Sequence, residues 1–390
     1  MLENIKDLNW ENNPNVLRQI ADEIEETFWE RCNLKAVRGW GENRALRFYN
    51  VKKEGPFTPR IKQNLQGDGV RGNADFDSNV DKMEIFATTM YPVVIGNSLN
   101  SDIEFYNAMN NINFVKEAAS SLRNWMVDYT NRAICAALAC DVTNVVVADS
   151  TKGAKDSTGK ASVSAACAEV KAGDIVSVET LRRAITLAKT GKAYNGGQLS
   201  AVKPCRITHK NIAGAEIDMY SYLIVLDSYQ CEQLKKDPQW IEAQGNLTMN
   251  KGLDSGFFTG LIGQIDGCPV IELPVWGFDT VGLANSKVSD SEFKAALNLQ
   301  NHKDPVCPSA YAGTQPTSMG FLLGANALLA VGTPQTRVLF EKRDYGRKTG
   351  AAVDKVLTIA KGRYDMSQSE TWKHLHNKDI GIVGICSSHE

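Results

Sequence analysis

The sequence predicts a mixed α+β fold in which one long helix is combined with several short, buried strands. Apolar residues recur at alternating spacings of three and four between Ile112 and Ala136, which is the periodicity of an amphipathic helix. Short β-branched runs such as residues 144–148 (NVVVA) and 222–227 (YLIVLD) alternate with further helical segments, and no internal repeat occurs. A chain of 390 residues can hold two or three domains or one large, elaborated domain.

The first 30 residues predict an acidic arm. Between residues 15 and 33 the apolar side chains follow helical spacing, and the acidic side chains lie on the other side of the helix. Residues 1–30 carry eight acidic and two basic side chains, a net charge of −6. We therefore expect an acidic, amphipathic segment ahead of the folded domains.

A basic segment follows the arm, and its apolar residues no longer recur at helical spacing. Gly, Pro, Asn and Asp separate short extended pieces such as residues 45–51 and 59–65. Residues 44–71 carry seven basic and two acidic side chains, a net charge of +5. About 40 residues with little core of their own are uncommon in a compact domain, so we expect packing partners from outside the subunit. The acidic and basic segments can pair within one chain, pair between copies, or be two solvated faces.

After this basic segment, the sequence predicts strands and helices that follow one another without a regular alternation. Residues 83–95 predict a strand, and Pro92 indicates an edge or a bulge. Residues 112–139 predict a helix of about 28 residues and about 42 Å. Further strands are predicted at residues 144–148, 174–178, 222–227, 268–276, 337–340 and 380–385, with a helix at 179–190 that Gly191 stops and another that Ser228 caps.

Two glycine-rich segments resemble nucleotide-binding motifs but lack what those motifs require. Residues 67–72 (GDGVRG) fit the dinucleotide fingerprint, which needs an apolar strand before it and a helix after it. Polar residues precede this segment, and turn-forming residues follow it. Residues 153–160 (GAKDSTGK) have five residues between the glycines where a phosphate-binding loop has four, and Ala161 stands where a hydroxyl would hold magnesium. Neither segment predicts nucleotide binding.

The other reactive side chains form no recognisable site. His374 and His376 indicate a surface pair, and the nine cysteines have no CxxC spacing, which predicts neither a zinc site nor a disulfide framework. An acid/base pair can be neither asserted nor excluded. The longest apolar run, residues 321–332, is shorter than the roughly 20 residues of a membrane span, and the N-terminus has no secretion-signal pattern. We predict no catalytic residue, cofactor, metal or membrane contact.

Four stretches carry motifs in a definite order. They are residues 64–79, a glycine-rich loop with an acidic turn; 94–140, the long helix with the segment before it; 222–270, a strand followed by GFFTG and IDGCPV; and 344–383, with DYG, KGRY and DIGIV. In order and spacing these motifs resemble the major capsid proteins of short-tailed phages of the N-four type, a branch of the Hong Kong 97 capsid fold. The resemblance spans about four fifths of the chain.

The resemblance implies a shell subunit with a definite anatomy. The expected parts are an N-terminal arm (residues 1–43), an extended loop built as a β-hairpin (44–82), a peripheral domain (83–177) with a spine helix (112–139), an axial domain (178–336) and a return to the peripheral domain (337–390). It also implies self-assembly into hexamers and pentamers of an icosahedral head, non-specific contact with packaged double-stranded DNA, and portal, scaffold and decoration proteins as partners. Assembly is expected in the host cytoplasm, and the assembled chain is expected in the virion capsid.

The opposite charges of arm and loop lead to a hypothesis about contact between subunits. Acidic residues of one arm would contact basic residues of a neighbour's extended loop, and the residues concerned are Glu23, Glu25, Glu26, Lys52, Lys53, Arg60 and Lys62. Two other functions stay open. An encapsulin-like compartment would share the fold and hold protein cargo, and a soluble α/β enzyme would have a concave pocket with converging titratable groups.

Overall fold

A computed structural model describes residues 20–22, 24–25, 34–51, 55–62, 70–72, 85–87, 89–101, 114–139, 142–156, 168–191, 201–210, 216–249, 261–272, 317–345, 347–366 and 373–389. The helices within these residues are α1 (Phe114–Ala139), α2 (Val178–Thr190), α3 (Ser228–Lys236) and α4 (Pro238–Met249). The strands are β1 (Arg38–Gly39), β2 (Leu46–Asn50), β3 (Arg60–Lys62), β4 (Ile85–Ala87), β5 (Val94–Asn100), β6 (Val145–Asp149), β7 (Gly153–Asp156), β8 (Cys205–Lys210), β9 (Glu216–Ser221), β10 (Leu223–Leu226), β11 (Leu261–Ile265), β12 (Cys268–Glu272), β13 (Thr317–Leu323), β14 (Leu328–Gly332), β15 (Arg337–Arg343), β16 (Lys348–Lys361) and β17 (Ile382–Ser388).

The first large sheet has six strands built around β16. The order is β1-β2-β14-β16-β15, and β5 also pairs with β16. Because β16 is 14 residues long, its first half pairs with β15 and β5 on its two sides, and its last five residues pair with β14. Helix α1 packs on one face of this sheet through residues such as Leu122 and Met126. The predicted long helix is confirmed, with residues 112–113 outside the described part of the chain.

The second large sheet has seven strands in the order β11-β12-β10-β13-β17-β6-β7. Alternate residues of β10 enter different cores: Leu223 and Val225 belong to the core that includes α1, whereas Ile224 and Leu226 belong to the core that includes α2. A strand that is buried on both faces must be apolar at every position. This double burial explains why residues 222–227 predicted a continuous apolar strand.

Helix ends follow local capping chemistry. The Ser177 side chain accepts from the Thr180 N–H and the Thr180 side chain accepts from the Ser177 N–H, a reciprocal cap that begins α2. Gly191 ends α2 in the left-handed region, with φ of 62°, and its N–H donates to the Leu187 carbonyl at 2.8 Å. The predicted stop at Gly191 is confirmed. The cap predicted at Ser228 is wrong, because the Asp227 carboxylate accepts from the Gln230 N–H and begins α3.

The strand predicted at residues 174–178 is also wrong. The Asp174 carboxylate accepts from the N–H groups of Ser150 and Lys171, each at 2.9 Å, and the Val176 N–H donates to the Gln233 side chain at 3.0 Å. Within residues 174–178, a side chain thus binds the Val176 N–H that a strand partner would otherwise bind. The strand predicted at 83–95 is divided into β4 and β5, with Pro92 between them.

The expectation that residues 45–51 lack a core is wrong. Strand β2 pairs in parallel with β14, with Leu46 opposite Leu328 and Asn50 opposite Gly332. Ala45 and Leu46 are fully buried. The partner strand lies almost 300 residues away in the sequence, so local patterns could not indicate it. The segment that leaves the sheet therefore starts after Val51.

The chain changes sheets at different places from the domain boundaries expected from the sequence. Strand β13 belongs to the seven-stranded sheet and β14 to the six-stranded sheet, so the chain passes between them at residues 324–327, whereas a boundary at 336–337 was expected. Strands β6, β7 and β17 also lie in the seven-stranded sheet. The division into peripheral and axial domains stays a prediction.

Candidate assembly surfaces

The root of the predicted extended loop is attached to the six-stranded sheet by a small apolar cluster. Phe57 and Met90 exchange backbone hydrogen bonds of 2.8 and 2.7 Å, and Met90 is buried beside Leu329 and Val331. The rings of Tyr49 and Phe57 lie 5.3 Å apart. Beyond this root, β3 and β4 form an antiparallel ribbon. A two-stranded ribbon is marginally stable by itself, so its order depends on the surface that it contacts.

The N-terminal segment is held on the same sheet by apolar contacts and an ion pair. Ile20 and Ile24 are buried in the core that includes α1. The Glu25 carboxylate pairs with the Lys355 ammonium and accepts a hydrogen bond from the Thr336 hydroxyl. Because Lys355 is almost completely buried, desolvation lowers the pKa of its ammonium, and the nearby Glu25 opposes that shift. The arm therefore supplies a negative charge to a buried cation of the sheet.

The residues of the arm-and-loop hypothesis are only partly placed by the structure. Glu23, Glu26, Lys52 and Lys53 lie outside the described residues, and for Arg60 and Lys62 the backbone is described, at the two ends of β3. Glu25 is engaged within its own chain, with one carboxylate oxygen on Lys355 and the other on Thr336. The contact between subunits that was expected of Glu25 stays a prediction.

Lys355 is a buried cation of this surface that the sequence analysis missed. Strand β16 places Ala351, Val353, Leu357 and Ile359 in the core that includes α1, and Lys355 occupies the next position in the same alternation. A lysine inside such an apolar series is a readable signal, because a buried cation requires a counter-charge. The identity of that counter-charge could not be read from the sequence, since Glu25 is 330 residues away.

A groove opens beside Trp40 on the six-stranded sheet. Its volume is about 380 Å³. Trp40 is 60% exposed, and its ring lies 5.6 Å from that of Phe48. Most of the lining is apolar or backbone, with the Glu25–Lys355 pair and Arg38 as its charged part. The lining residues are Glu25, Arg38, Gly39, Trp40, Phe48, Tyr49, Asn50, Ala330, Gly332, Thr333, Pro334, Lys355 and Leu357.

A buried charge cluster joins the two sheets. The Asp379 side chain is fully buried, 3.1 Å from the Arg363 Nε and 3.5 Å from the Lys361 Nζ. Its carboxylate also accepts from the Thr143 N–H at 2.9 Å, and the Asp379 N–H donates to the Thr143 hydroxyl. Lys361 ends β16, Thr143 precedes β6 and Asp379 precedes β17. The cluster therefore fixes the junction between the six-stranded and the seven-stranded sheet.

Features typical of an enzyme find little support in the described part of the chain. Cys135, Cys205, Cys231 and Cys268 are buried and form no disulfide, and burial raises the pKa of the Cys205 thiol to about 12, which keeps it protonated. Residues 153–156 are strand β7, paired antiparallel with β6. Among the described residues, no cluster of His, Cys, Asp and Glu side chains could hold a metal ion, and none of the helices is long and apolar enough to span a membrane.

The comparisons with known proteins agree on one family. No family model matches the chain. The major structural protein ORF14 of Helicobacter pylori bacteriophage KHP30 is 33% identical over 408 residues, which cover 100% of both chains. Among solved structures, the head of Helicobacter pylori bacteriophage KHP40 has 34% identity and a TM-score of 0.74, covering 100% of this chain and 99% of that one. The acidic stable capsid of KHP30 has 32% identity and a TM-score of 0.72, again over 100% of this chain and 99% of that one.

These similarities extend over the whole chain. The predicted α+β capsid fold of the Hong Kong 97 type is confirmed. A relative that is 33% identical over the full length of both chains shows membership of one protein family and not merely a shared fold. The chain belongs to the family of phage major capsid proteins, the subunits from which the phage head is built.

Proposed function

We propose that this chain assembles, as hexamers and pentamers, into the icosahedral head that encloses the double-stranded DNA of a tailed phage. The observation that carries this proposal is the full-length similarity, at 34% identity, to a chain of a phage head. The loop root supports it independently, because the ribbon of β3 and β4 leaves the six-stranded sheet and needs a surface to pack on. Assembly takes place in the host cytoplasm, and the assembled chain belongs to the virion.

The role that we propose is structural and not catalytic. Cys205 and Cys231 are buried, and burial raises the pKa of both thiols. The glycine-rich segment at residues 153–156 is a strand, and the groove beside Trp40 is lined mainly by apolar groups. An enzyme of this size would be expected to bring several titratable side chains together in a pocket. In the described groove, the Glu25–Lys355 ion pair is the nearest approach to such a set of titratable side chains. This pair anchors the arm.

The other partners in the proposal follow from the function of a head. A portal and a scaffold protein are proposed partners in assembly, and decoration proteins are proposed on the outer surface. Packaged DNA presents a dense array of phosphates that diffuse basic contacts can meet without sequence recognition. No membrane partner is proposed.

Electron microscopy of the expressed protein tests the proposal directly. We expect capsomers or shells at high protein concentration, and particles from infected cells should contain DNA and a portal. Small closed shells of this protein alone, filled with protein cargo, would favour the encapsulin-like compartment. Discrete monomers or dimers at every concentration would contradict assembly and favour a soluble enzyme.

We also propose that the acidic arm of one subunit contacts the basic extended loop of its neighbour. Glu23, Glu25 and Glu26 are the acidic residues of this contact, and Glu25 also pairs with Lys355 of its own chain. Replacing the loop residues Lys52, Lys53, Arg60 and Lys62 with Glu should reduce particle yield at least tenfold, because attraction between subunits becomes repulsion. The isolated subunit should keep its unfolding midpoint.

The matched control reverses the same number of charges elsewhere on the subunit. Lys171, Lys203, Lys235 and Lys373 are exposed, and replacing these four with Glu gives the same change in net charge. We expect that variant to assemble better than the loop variant. Equal particle yields from the two variants would show that net charge, and not the loop, controls assembly.

A further inference from the structure

Residues 362–381 connect β16 to β17 and are closed at their base beside the junction of the two sheets. The Tyr364 N–H donates to the Lys378 carbonyl at 3.1 Å. Next to this bond, Arg363 and Asp379 form an antiparallel backbone bridge, and their side chains belong to the buried charge cluster. The two sides of this connection are therefore held together at the point where the sheets meet.

The two histidines that the sequence predicted as a surface pair lie in this connection and differ in exposure. His374 is exposed, whereas the side chain of His376 is 33% exposed. The Met366 N–H donates to the His376 Nδ1 at 3.1 Å. The same Nδ1 lies 3.5 Å from a carboxylate oxygen of Asp365. One ring nitrogen thus has a hydrogen-bond donor and a carboxylate acceptor within reach.

These two partners exclude each other. An imidazole nitrogen that accepts a hydrogen bond carries no proton, so the bond from the Met366 N–H requires the neutral tautomer of His376, with its proton on Nε2. A proton on Nδ1 turns this nitrogen into a donor, which can no longer accept from Met366 but can donate to the Asp365 carboxylate. Histidine is the side chain that ordinarily changes charge between pH 5 and pH 8. A change of pH within this range can therefore exchange one partner for the other.

The bond between Met366 and His376 joins the two sides of the connection. The Met366 side chain is buried in a small apolar core with Tyr364, Leu375 and Ile380. Tyr364 and Met366 belong to the side that leaves β16, whereas Leu375 and Ile380 belong to the side that enters β17. The His376 ring adds a polar tie between the same two sides. Losing this tie leaves the small core and the base to hold the connection.

The charges around His376 favour Asp365 as the partner of the charged ring. Within the described residues, the ion-pair partner of His376 is Asp365. At the base, Lys361 and Arg363 are paired with Asp379. The other titratable side chains in the described part of the connection are Tyr364, Lys373, His374 and Lys378. Because the lysines among these groups would oppose a further positive charge, the Asp365 carboxylate is the group that stabilises the charged ring.

We propose that His376 is a proton-operated switch in the connection between β16 and β17. With the ring neutral, Nδ1 binds the Met366 N–H; with the ring charged, Nδ1 binds the Asp365 carboxylate. A fall in pH therefore loosens the connection beside the junction, while the Asp379 cluster keeps the two sheets joined. The switch is independent of the proposed function, because all of its groups lie in one chain.

Hydrogen exchange of the full-length chain at pH 8 and pH 5 tests the switch, after correction for the intrinsic pH dependence of exchange. We expect the protection of the Met366 amide to fall roughly tenfold at pH 5, which is the effect of one lost hydrogen bond. The amides of α2 should keep their protection, because the change is local. Equal protection of Met366 at both pH values, or an equal loss in α2, would overturn the proposal.

Three variants identify the group that senses the proton. His376→Gln has no titrating ring, so the protection of the Met366 amide should be the same at both pH values. Asp365→Asn changes a side chain that is 52% exposed and removes the partner of the charged ring, so the loss of protection at pH 5 should be smaller than in wild type. His374→Gln, the matched control, should respond as wild type does. A wild-type response from His376→Gln, or no response from His374→Gln, would refute the assignment to His376.

Discussion

The seven-stranded and six-stranded sheets differ in how completely the chain covers them. Every residue of β10, β13 and β17 in the seven-stranded sheet is buried. In the six-stranded sheet, most residues of β5 and β15 are exposed or partly exposed. The arm, the root of the extended loop and the groove beside Trp40 all belong to this second, less covered sheet. The candidate contact surfaces therefore lie on the six-stranded sheet, although its central strand β14 is as completely buried as those three strands.

The amino-acid composition of the strands reflects this difference in burial. Strand β10 (LIVL) is apolar on both faces because helices cover one face and the core that includes α1 covers the other. Strand β15 (RVLFEKR) carries four charged side chains, which is how an exposed edge strand avoids indiscriminate pairing with other strands. An edge with this composition disfavours pairing along its whole length.

Breaking the charge cluster at the junction of the two sheets should have the largest effect on the isolated subunit. Asp379→Asn leaves Lys361 and Arg363 buried without the carboxylate that lies between them. Removing one member of a buried ion cluster typically costs about 3–5 kcal/mol, and we expect a loss of that size in the free energy of unfolding in urea. Asp344→Asn, in an exposed pair, is the control. A loss below about 1 kcal/mol for Asp379→Asn would show that the cluster does not hold the junction.

A matched pair of phenylalanines compares the two sheets directly. Phe321 in β13 is completely buried, whereas Phe48 in β2 is partly exposed beside the groove. Phe321→Ala should cost about 3–5 kcal/mol, because it removes a buried ring and leaves a cavity. Phe48→Ala should cost about 1–2 kcal/mol, because less apolar area is lost from the core. Chemical unfolding of both variants provides the measurement, and equal losses would mean that the two sheets are equally enclosed.

The sequence predicted those elements whose signals are local. Helix α1 was visible in a periodicity that extends over many turns, and the end of α2 was visible in Gly191. Strands β6, β10, β12 and β17 of the seven-stranded sheet were visible because burial on both faces makes them largely apolar, whereas β7, β11 and β13 were not predicted. In each case the information lies within the segment itself or next to it.

The features that were missed depend on partners far away in the sequence. Residues 45–51 looked unsupported because their partner strand is β14, and the Val176 N–H donates to the side chain of Gln233, far away in the sequence, and not to a strand. Lys355 could be recognised as a buried cation, but its pairing with Glu25 needed the three-dimensional arrangement. Assembly surfaces are hard to predict for the same reason, since the residues that complete them lie on another chain.

The attachment of the arm to the six-stranded sheet should be weaker than the junction cluster and local in its effect. Glu25→Gln removes the charge that opposes the cost of burying Lys355, and we expect a loss of about 1–3 kcal/mol. Backbone hydrogen exchange of residues 20–25 should become faster. The exchange of α2, which packs on the seven-stranded sheet, should stay unchanged. Asp22→Asn is the control, because Asp22 is an exposed acid in the same segment. Unchanged exchange in Glu25→Gln would mean that the apolar contacts of Ile20 and Ile24 hold the arm by themselves.

The last prediction concerns the face of the six-stranded sheet that α1 covers. Here the expected effect is a dependence of folding stability on pH. Burial raises the pKa of Tyr129 on α1 from 10.0 to about 12. Between these values the folded state keeps a proton that the unfolded state loses, so stability is fully present below pH 10 and falls as the pH rises towards 12. Across this range wild type should lose about 2 kcal/mol more than Tyr129→Phe, which has no phenol to ionise. Tyr220→Phe, on exposed strand β9, controls for the removal of a phenol. Equal pH slopes in wild type and Tyr129→Phe would show that water reaches this face, and that the six-stranded sheet is open on both sides.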